Sequence, residues 1–414
     1  MLLSGTRRGR AIVLGAGLQG TCAALELRRR GFHVDLVDQA PGCMTRASLR
    51  NEGKIHLGFV YGNDPSRRTP RLMLEAALHF GPLMERWLGG IDWHALRSRR
   101  FTYAVMADSL VEPSRLFDGY SALEEDFRTW RAGGVGTYLG LAHDHLFEVI
   151  PAGAVAGVHA GGKVVAAAHT VEAAVDPVAL RALIVDAVEA DDGIACHFRH
   201  RVSSIEPTPA GFRVAGDAAK GPWTLDGEIV VNCCWDGRLA LDAELGLAPQ
   251  RPWVHRLKYR LLGQLPDELA HLPSLTFVLG PYGDIVVTLR RPTYVSWYPA
   301  CMRGWSSQVV PPGEWEAACA GYARRETTEA IASRALREFA DVIPGLDRFR
   351  VTHVDAGVIF SWGSTDINET WSELHLRHEI GLGQRDGYFS IDTGKLTTAP
   401  LFARALGAAV GDRP

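Results

Sequence analysis

Gly15-Ala16-Gly17-Leu18-Gln19-Gly20 has the spacing G-x-G-x-x-G and lies between a short apolar run, Ala11–Leu14, and a segment of helical periodicity. Each glycine has its own physical reason. Gly15 permits a tight turn after a strand, and Gly17 leaves bare backbone for a diphosphate to approach. Gly20 lets the following helix pack closely on the strand. The helix N-terminus then offers N–H groups and a partial positive charge to the phosphates.

The flanking residues complete the unit. Leu18, Cys22 and Leu25 recur at helical spacing, Ala24 and Leu27 extend the packing face, and Gly31 ends the helix over 18–30. Val34–Val37 reads as a second strand, so the chain opens with a βαβ unit. Asp38, with Gln39 beside it, closes that strand about 20 residues after the glycines, where a carboxylate accepts hydrogen bonds from an adenosine ribose. An acid there repels a 2′-phosphate, which argues against NADP.

Further along, residues 70–130 read as helical, 178–190 as a helix, and 194–198 and 201–205 as strands. Gly211–Ala215 and Glu228–Asn232 read as strands around a turn at Gly221-Pro222. The aromatic and β-forming stretch from Trp253 to Trp305 predicts an antiparallel sheet. Residues 314–339 and 396–410 read as helices. The expected architecture is α/β: a Rossmann-type dinucleotide-binding domain with an inserted α+β substrate domain on a mostly antiparallel sheet. Residues 1–70, 150–240 and 350–414 are assigned to the first, and 71–149 and 241–349 to the second.

Composition bounds the function class. The chain has 414 residues, 47% hydrophobic and 22% charged, with a formal net charge of -3, which gives no reason to expect nucleic acid or an anionic membrane as partner. Seven cysteines without a C-x-x-C pair fit reduced thiols and a cytoplasmic setting. No apolar stretch of about 18 residues is present, so no integral membrane segment is expected. His143/His145 and His375/His378 lack a completed ligand set, so no metal is predicted. Oligomeric state is not readable.

The segment Ala47-Ser48-Leu49-Arg50-Asn51-Glu52-Gly53-Lys54-Ile55-His56-Leu57-Gly58 resembles the flavin-contacting segment of the D-amino-acid-oxidase-like FAD superfamily, closest to glycerol-3-phosphate and L-2-hydroxyglutarate dehydrogenases. Ser48, Arg50, Ile55, His56 and Gly58 carry the match. Gly394-Lys395-Leu396-Thr397-Thr398 looks like the C-terminal G-K-L-T-T of the glycerol-3-phosphate enzymes, which lies against the flavin. The helix and strands over 176–205 resemble the superfamily's return, with Val202 near adenine, and Ile229-Val230-Val231-Asn232 matches its V-V-N strand. One departure is clear: Cys233-Cys234-Trp235-Asp236 stands where small residues with a glycine are usual.

The resemblance implies a flavoenzyme that takes a hydride from a C–OH carbon of a small polar, possibly anionic substrate, reoxidised by oxygen or a quinone-type acceptor. Amine or amino-acid oxidation, and flavin binding without turnover, are the alternatives. His56 is the candidate base, with an imidazole suited to proton uptake near neutrality. Lys395 is expected at the flavin's pyrimidine end. Tyr259, Tyr298 and the arginines Arg290, Arg291 and Arg303 are expected in the roof of the site, and Arg377 is expected at an anion. Cys301, in Pro299-Ala300-Cys301-Met302, lacks an attachment context, so FAD is expected to bind non-covalently.

Overall fold

The computed structural model describes residues 9–134, 136–155, 162–288, 292–370 and 372–411. The opening unit forms as the glycine spacing requires: strand β1 (Arg10–Leu14), helix α1 (Leu18–Arg29) and strand β2 (His33–Asp38). β1 pairs in parallel with β2 on one side and with Ile229–Asn232 on the other. Ile194–Phe198 extends the sheet beyond β2, and Tyr388–Asp392 extends it beyond Ile229–Asn232; an antiparallel strand, Gly381–Arg385, closes that edge. Ala11 to Leu14 are wholly buried, as expected for a central parallel strand covered on both faces. Helix α1 lies between this sheet and the closing helix, Ala399–Gly411, so Cys22, Ala23, Ala24 and Leu27 are all inaccessible.

A second, nine-stranded sheet forms the roof. Its axis is Trp253–Gln264, which pairs antiparallel with Arg350–Trp362 from Trp253 opposite Trp362 to Gln264 opposite Arg350. The antiparallel sheet expected from the aromatic stretch is present, with one exception: Ser274–Val278 runs parallel to Phe101–Met106.

Several local expectations are corrected. Residues 70–130 are two helices, Arg68–Leu88 and Pro113–Ala132, with a short helix at Trp93–Leu96 and the roof strand Phe101–Met106 between them. Phe101–Met106 is buried throughout, so its apolar run carries no strand alternation to read. Gly221-Pro222 opens a strand, Gly221–Gly227, that pairs back on Gly211–Ala218 in a separate three-stranded sheet. The stretch 314–339 breaks between Glu316–Cys319 and Arg325–Ala340. Val164–Thr170 and Arg350–Trp362, assigned from sequence to the nucleotide-binding part, are roof strands. An apolar strand pattern does not say which of two sheets the strand joins.

Candidate active site

A cavity of about 680 Å³ runs between the two sheets, inside the range of clefts that hold small ligands. One end is built from the glycine turn. Gly15 takes φ +92°, and a Cβ there would meet Cys233 O at 2.8 Å. A Cβ on Gly20 would lie 1.7 Å from Gly15 O, so helix and strand can approach only without it. Gly17 caps α1 with no side-chain hydrogen bond, and no acid lies in the first turn. The positive end of the helix therefore faces the cavity with no acid of its own first turn to offset it.

Gly15, Gly17, Leu18 and Gln19 line the cavity; Ala16 and Gly20 do not, and serve the turn behind it. Ser48 and Arg50 line it too, and Ser48 Oγ accepts the Leu18 N–H at 2.9 Å. Asp38 and Gln39 also line it. The Asp38 carboxylate accepts Ala16 N–H at 2.6 Å and Ala40 N–H at 2.7 Å, which leaves two of about four acceptor positions for a ligand. Val202 reaches the same wall from the strand His200–Thr208. Asn232 does not line the cavity. Its buried side chain ties Arg238 O, Asp242 and the Tyr388 hydroxyl to the Cys234 N–H, bracing the end of the strand.

Trp235 has a left-handed backbone, at φ +45°. A non-glycine residue there carries strain of about 1–3 kcal/mol. Its indole donates to Val358 O at 2.8 Å, joining the nucleotide-binding sheet to a roof strand.

The predicted catalytic residues divide between this cavity and its surroundings. His56, Lys395, Gly394, Leu396, Tyr259 and Arg377 line the cavity. Thr397 stands behind, its hydroxyl accepting the His56 backbone N–H. Glu172 Oε2 accepts the next N–H, of Leu57, at 2.6 Å. Tyr298 lies outside the cavity, hydrogen-bonded to Asp366 and Arg256. Cys301 is wholly buried and does not line the cavity, Arg303 is exposed, and Arg290 and Arg291 lie outside the described residues.

Burial, with Lys395 adding to it, pushes the His56 imidazole down to about 3. This corrects the expectation of a histidine titrating near neutrality: His56 is neutral at pH 7, because desolvation disfavours its charged form. Neither ring nitrogen has a hydrogen-bond partner among the described residues. Burial alone would raise Glu52, yet the adjacent His56, Lys258 and Lys395 hold it well below the ordinary carboxylate range. Lys258 is held protonated against burial by Tyr294, Asp284 and Glu52. Arg377 donates to Ser361 Oγ at 2.8 Å, Leu374 O at 3.4 Å and Phe360 O at 3.5 Å, all neutral acceptors.

Glu52, Lys54 and Lys258 received no role from sequence. Glu52 and Lys54 stand inside the quoted motif, four and two residues from His56, so their spacing was a usable signal. Lys258 comes from a strand with no local motif. Among the described residues no cluster of three potential metal ligands forms, and no helix is long and apolar enough to cross a membrane.

The profile of the DAO family, described as FAD dependent oxidoreductase, matches residues 10–406. The chain belongs to the DAO family of FAD-dependent oxidoreductases. FAD is its cofactor, and the bare glycine turn, the helix end opening on the cavity and the long cavity fit a dinucleotide of that kind. The bifunctional MnmC protein of tRNA 5-methylaminomethyl-2-thiouridine biosynthesis from Pseudomonas aeruginosa PAO1 is 35% identical over 88 residues, which span 21% of this chain and 13% of that protein. Among solved structures, iminodiacetate oxidase from Chelativorans sp. BNC1 superposes with a TM-score of 0.66 at 17% identity, covering 98% of this chain and 96% of that one. Dithionite-reduced L-alpha-glycerophosphate oxidase from Mycoplasma pneumoniae, with FAD bound, gives 0.62 at 15% identity, covering 98% and 96%.

Proposed function

We propose that this DAO-family enzyme oxidises a C–OH carbon of a small, polar, anionic substrate, with FAD held non-covalently along the cavity. In this reading Gly15, Gly17, Leu18 and Gln19 take the pyrophosphate, Asp38 the adenosine ribose, and Val202 packs at adenine. Ser48, Arg50 and Gly394–Thr397 enclose the remainder. The chemistry that bound FAD supplies is acceptance of two electrons and a hydrogen from the substrate carbon. Reoxidation by oxygen or a quinone-type acceptor completes turnover.

The observation that carries the reading is the charge balance beside His56. Lys54, Lys258, Lys395 and Arg377 all line the cavity; the carboxylates beside the lysines are Glu52 and Asp284, and Asp392 lies near Arg377. The excess of cations in a site shielded from water favours an anionic substrate. Neutral His56, with its ring nitrogens unpartnered, is a base within the same space and takes the hydroxyl proton. Arg377 and Lys258 hold the anion.

A second reading, oxidation of a C–N carbon, is favoured by Glu52: an ionised carboxylate lining the cavity suits a substrate ammonium. Iminodiacetate oxidase and glycerophosphate oxidase bear names of both kinds, and the fold is shared with both. An anaerobic screen separates them: hydroxy acids, polyol phosphates, amino acids and imino acids are each mixed with the yellow enzyme. Bleaching by anionic hydroxy compounds supports the first reading. Bleaching by amines alone selects the second, and bleaching by uncharged compounds alone sinks the anionic assignment.

A further inference from the structure

The reading of His56 as proton acceptor leaves one charged group beside it unexplained. Glu52 Oε1 stands 3.7 Å from His56 Nε2, outside hydrogen-bond reach but the nearest carboxylate to that nitrogen among the described residues. The other charges facing His56 are all cations: Lys395 from the tail segment and Lys54 from the same strand-like segment. Lys258, from the roof strand Trp253–Gln264, faces Glu52 from above. Behind them Asp284 accepts from Lys54 at 2.9 Å and lies close to Lys258. Charges of opposite sign thus alternate around the histidine: Lys395, Glu52, Lys258, Asp284, Lys54.

A neutral imidazole has one N–H and one lone pair, and its surroundings decide which nitrogen carries the hydrogen. A carboxylate beside Nε2 attracts the hydrogen to that atom. The three ammonium groups, taken alone, would favour the opposite arrangement there and would oppose any proton gained by the ring. We infer that Glu52 is a positioning residue, which fixes His56 as the Nε2–H tautomer and leaves Nδ1 to take the substrate's proton. In the transfer the substrate O–H bond breaks, an Nδ1–H bond forms, and the bonding pair stays on oxygen. The positive charge then on the ring sits against Glu52, the arrangement in which a carboxylate steadies an imidazolium without itself taking the proton. Lys258 and Lys395 keep Glu52 ionised, so the pair is complete only with the roof strand and the tail segment both in place.

This inference rests on the proposed role of His56, yet its test requires no substrate. Holoenzyme is prepared with ring-15N histidine, and the His56 signals are assigned by their loss in His56→Asn. Wild type is expected to show the Nε2–H tautomer at neutral pH. Glu52→Gln, judged folded by its retained flavin absorbance, is expected to lose that tautomer's signal, and Glu52→Asp to regain it. An unchanged Nε2–H signal in Glu52→Gln overturns the inference. Should Glu52→Gln not retain FAD, wild type decides alone, since an Nδ1–H tautomer there overturns it equally. An enzyme that oxidises amines instead of alcohols still passes or fails this test on the tautomer alone.

Discussion

Thr397 Oγ1 accepts the backbone N–H of His56 at 2.9 Å, although 341 residues separate the two in the chain. The hydroxyl also reaches Lys54 O at 3.4 Å. One buried side chain thus sets the segment after β2 against the turn before the closing helix. Both segments line the far end of the cavity, so its width depends on this bond. Thr397→Val keeps the shape and removes the acceptor, leaving a buried N–H unpaired. The expected cost is about 1–3 kcal/mol of stability, with weaker FAD retention. Urea unfolding and FAD dissociation measure the two, and Thr397→Ser is expected to recover most of both. A valine variant with wild-type stability and flavin retention removes the bond from this account.

The two inner glycines of the turn separate folding from binding. An added Cβ at Gly20 would fall 1.7 Å from a backbone oxygen, so Gly20→Ala is expected to express poorly or unfold at lower temperature. At Gly17 the same atom meets only Ser48 Oγ, at 3.1 Å. Gly17→Val is therefore expected to fold and to purify colourless, because its side chain occupies the space the pyrophosphate needs. Circular dichroism and the visible spectrum distinguish the two outcomes. A yellow Gly17→Val protein contradicts the placement.

The nucleotide-binding half was legible because its constraints are local. A glycine turn, an apolar strand and an acid at the next strand end sit within residues 11–38, and each has a separate steric or electrostatic reason. The roof was less so. Phe101–Met106 pairs with Val164–Thr170 and Ser274–Val278, and Arg350–Trp362 with Trp253–Gln264, all distant in sequence, and nothing in their composition names the sheet they join. The site divides the same way. His56 and Lys395 stood in recognisable motifs, whereas Lys258 is a lysine in a strand until the fold carries it to Glu52. The titration of His56 was misjudged because burial, which lowers it, is a property of the closed cavity. Trp235 was legible as a departure. Its left-handed backbone and its bond to Val358 were not.

The low His56 value has a consequence for stability, and its sign follows from which state binds the proton. The folded value, about 3, lies below the ordinary 6.5. The contribution is therefore complete above pH 6.5 and is lost as pH falls toward 3, because the unfolded chain protonates first. One proton changes stability by about 1.4 kcal/mol per pH unit across that window. FAD-stripped wild type is expected to lose about 2 kcal/mol more than His56→Asn between pH 7 and pH 5. Denaturant unfolding at several pH values gives both slopes. Parallel slopes mean that His56 is solvated in the folded protein.

Arg377 presents the sharpest test of the anionic substrate. A buried guanidinium whose bonds run to neutral oxygens is an incomplete arrangement, since burial penalises its charge and Asp392 opposes that only from a distance. A substrate carboxylate or phosphate would do so through paired hydrogen bonds. Arg377→Met is expected to raise the concentration for half-maximal flavin reduction about 10- to 100-fold, matching the ~1.5–3 kcal/mol of hydrogen bonds to charged groups. Arg377→Lys restores charge without the planar fork and is expected to recover only part of it. Anaerobic stopped-flow with the substrate found by the bleaching screen gives these values. If Arg377→Met shifts thermal stability but leaves half-saturation unchanged, the guanidinium serves only to tie Leu374, Phe360 and Ser361 together, and the anion must be held by Lys258 or Lys395 instead.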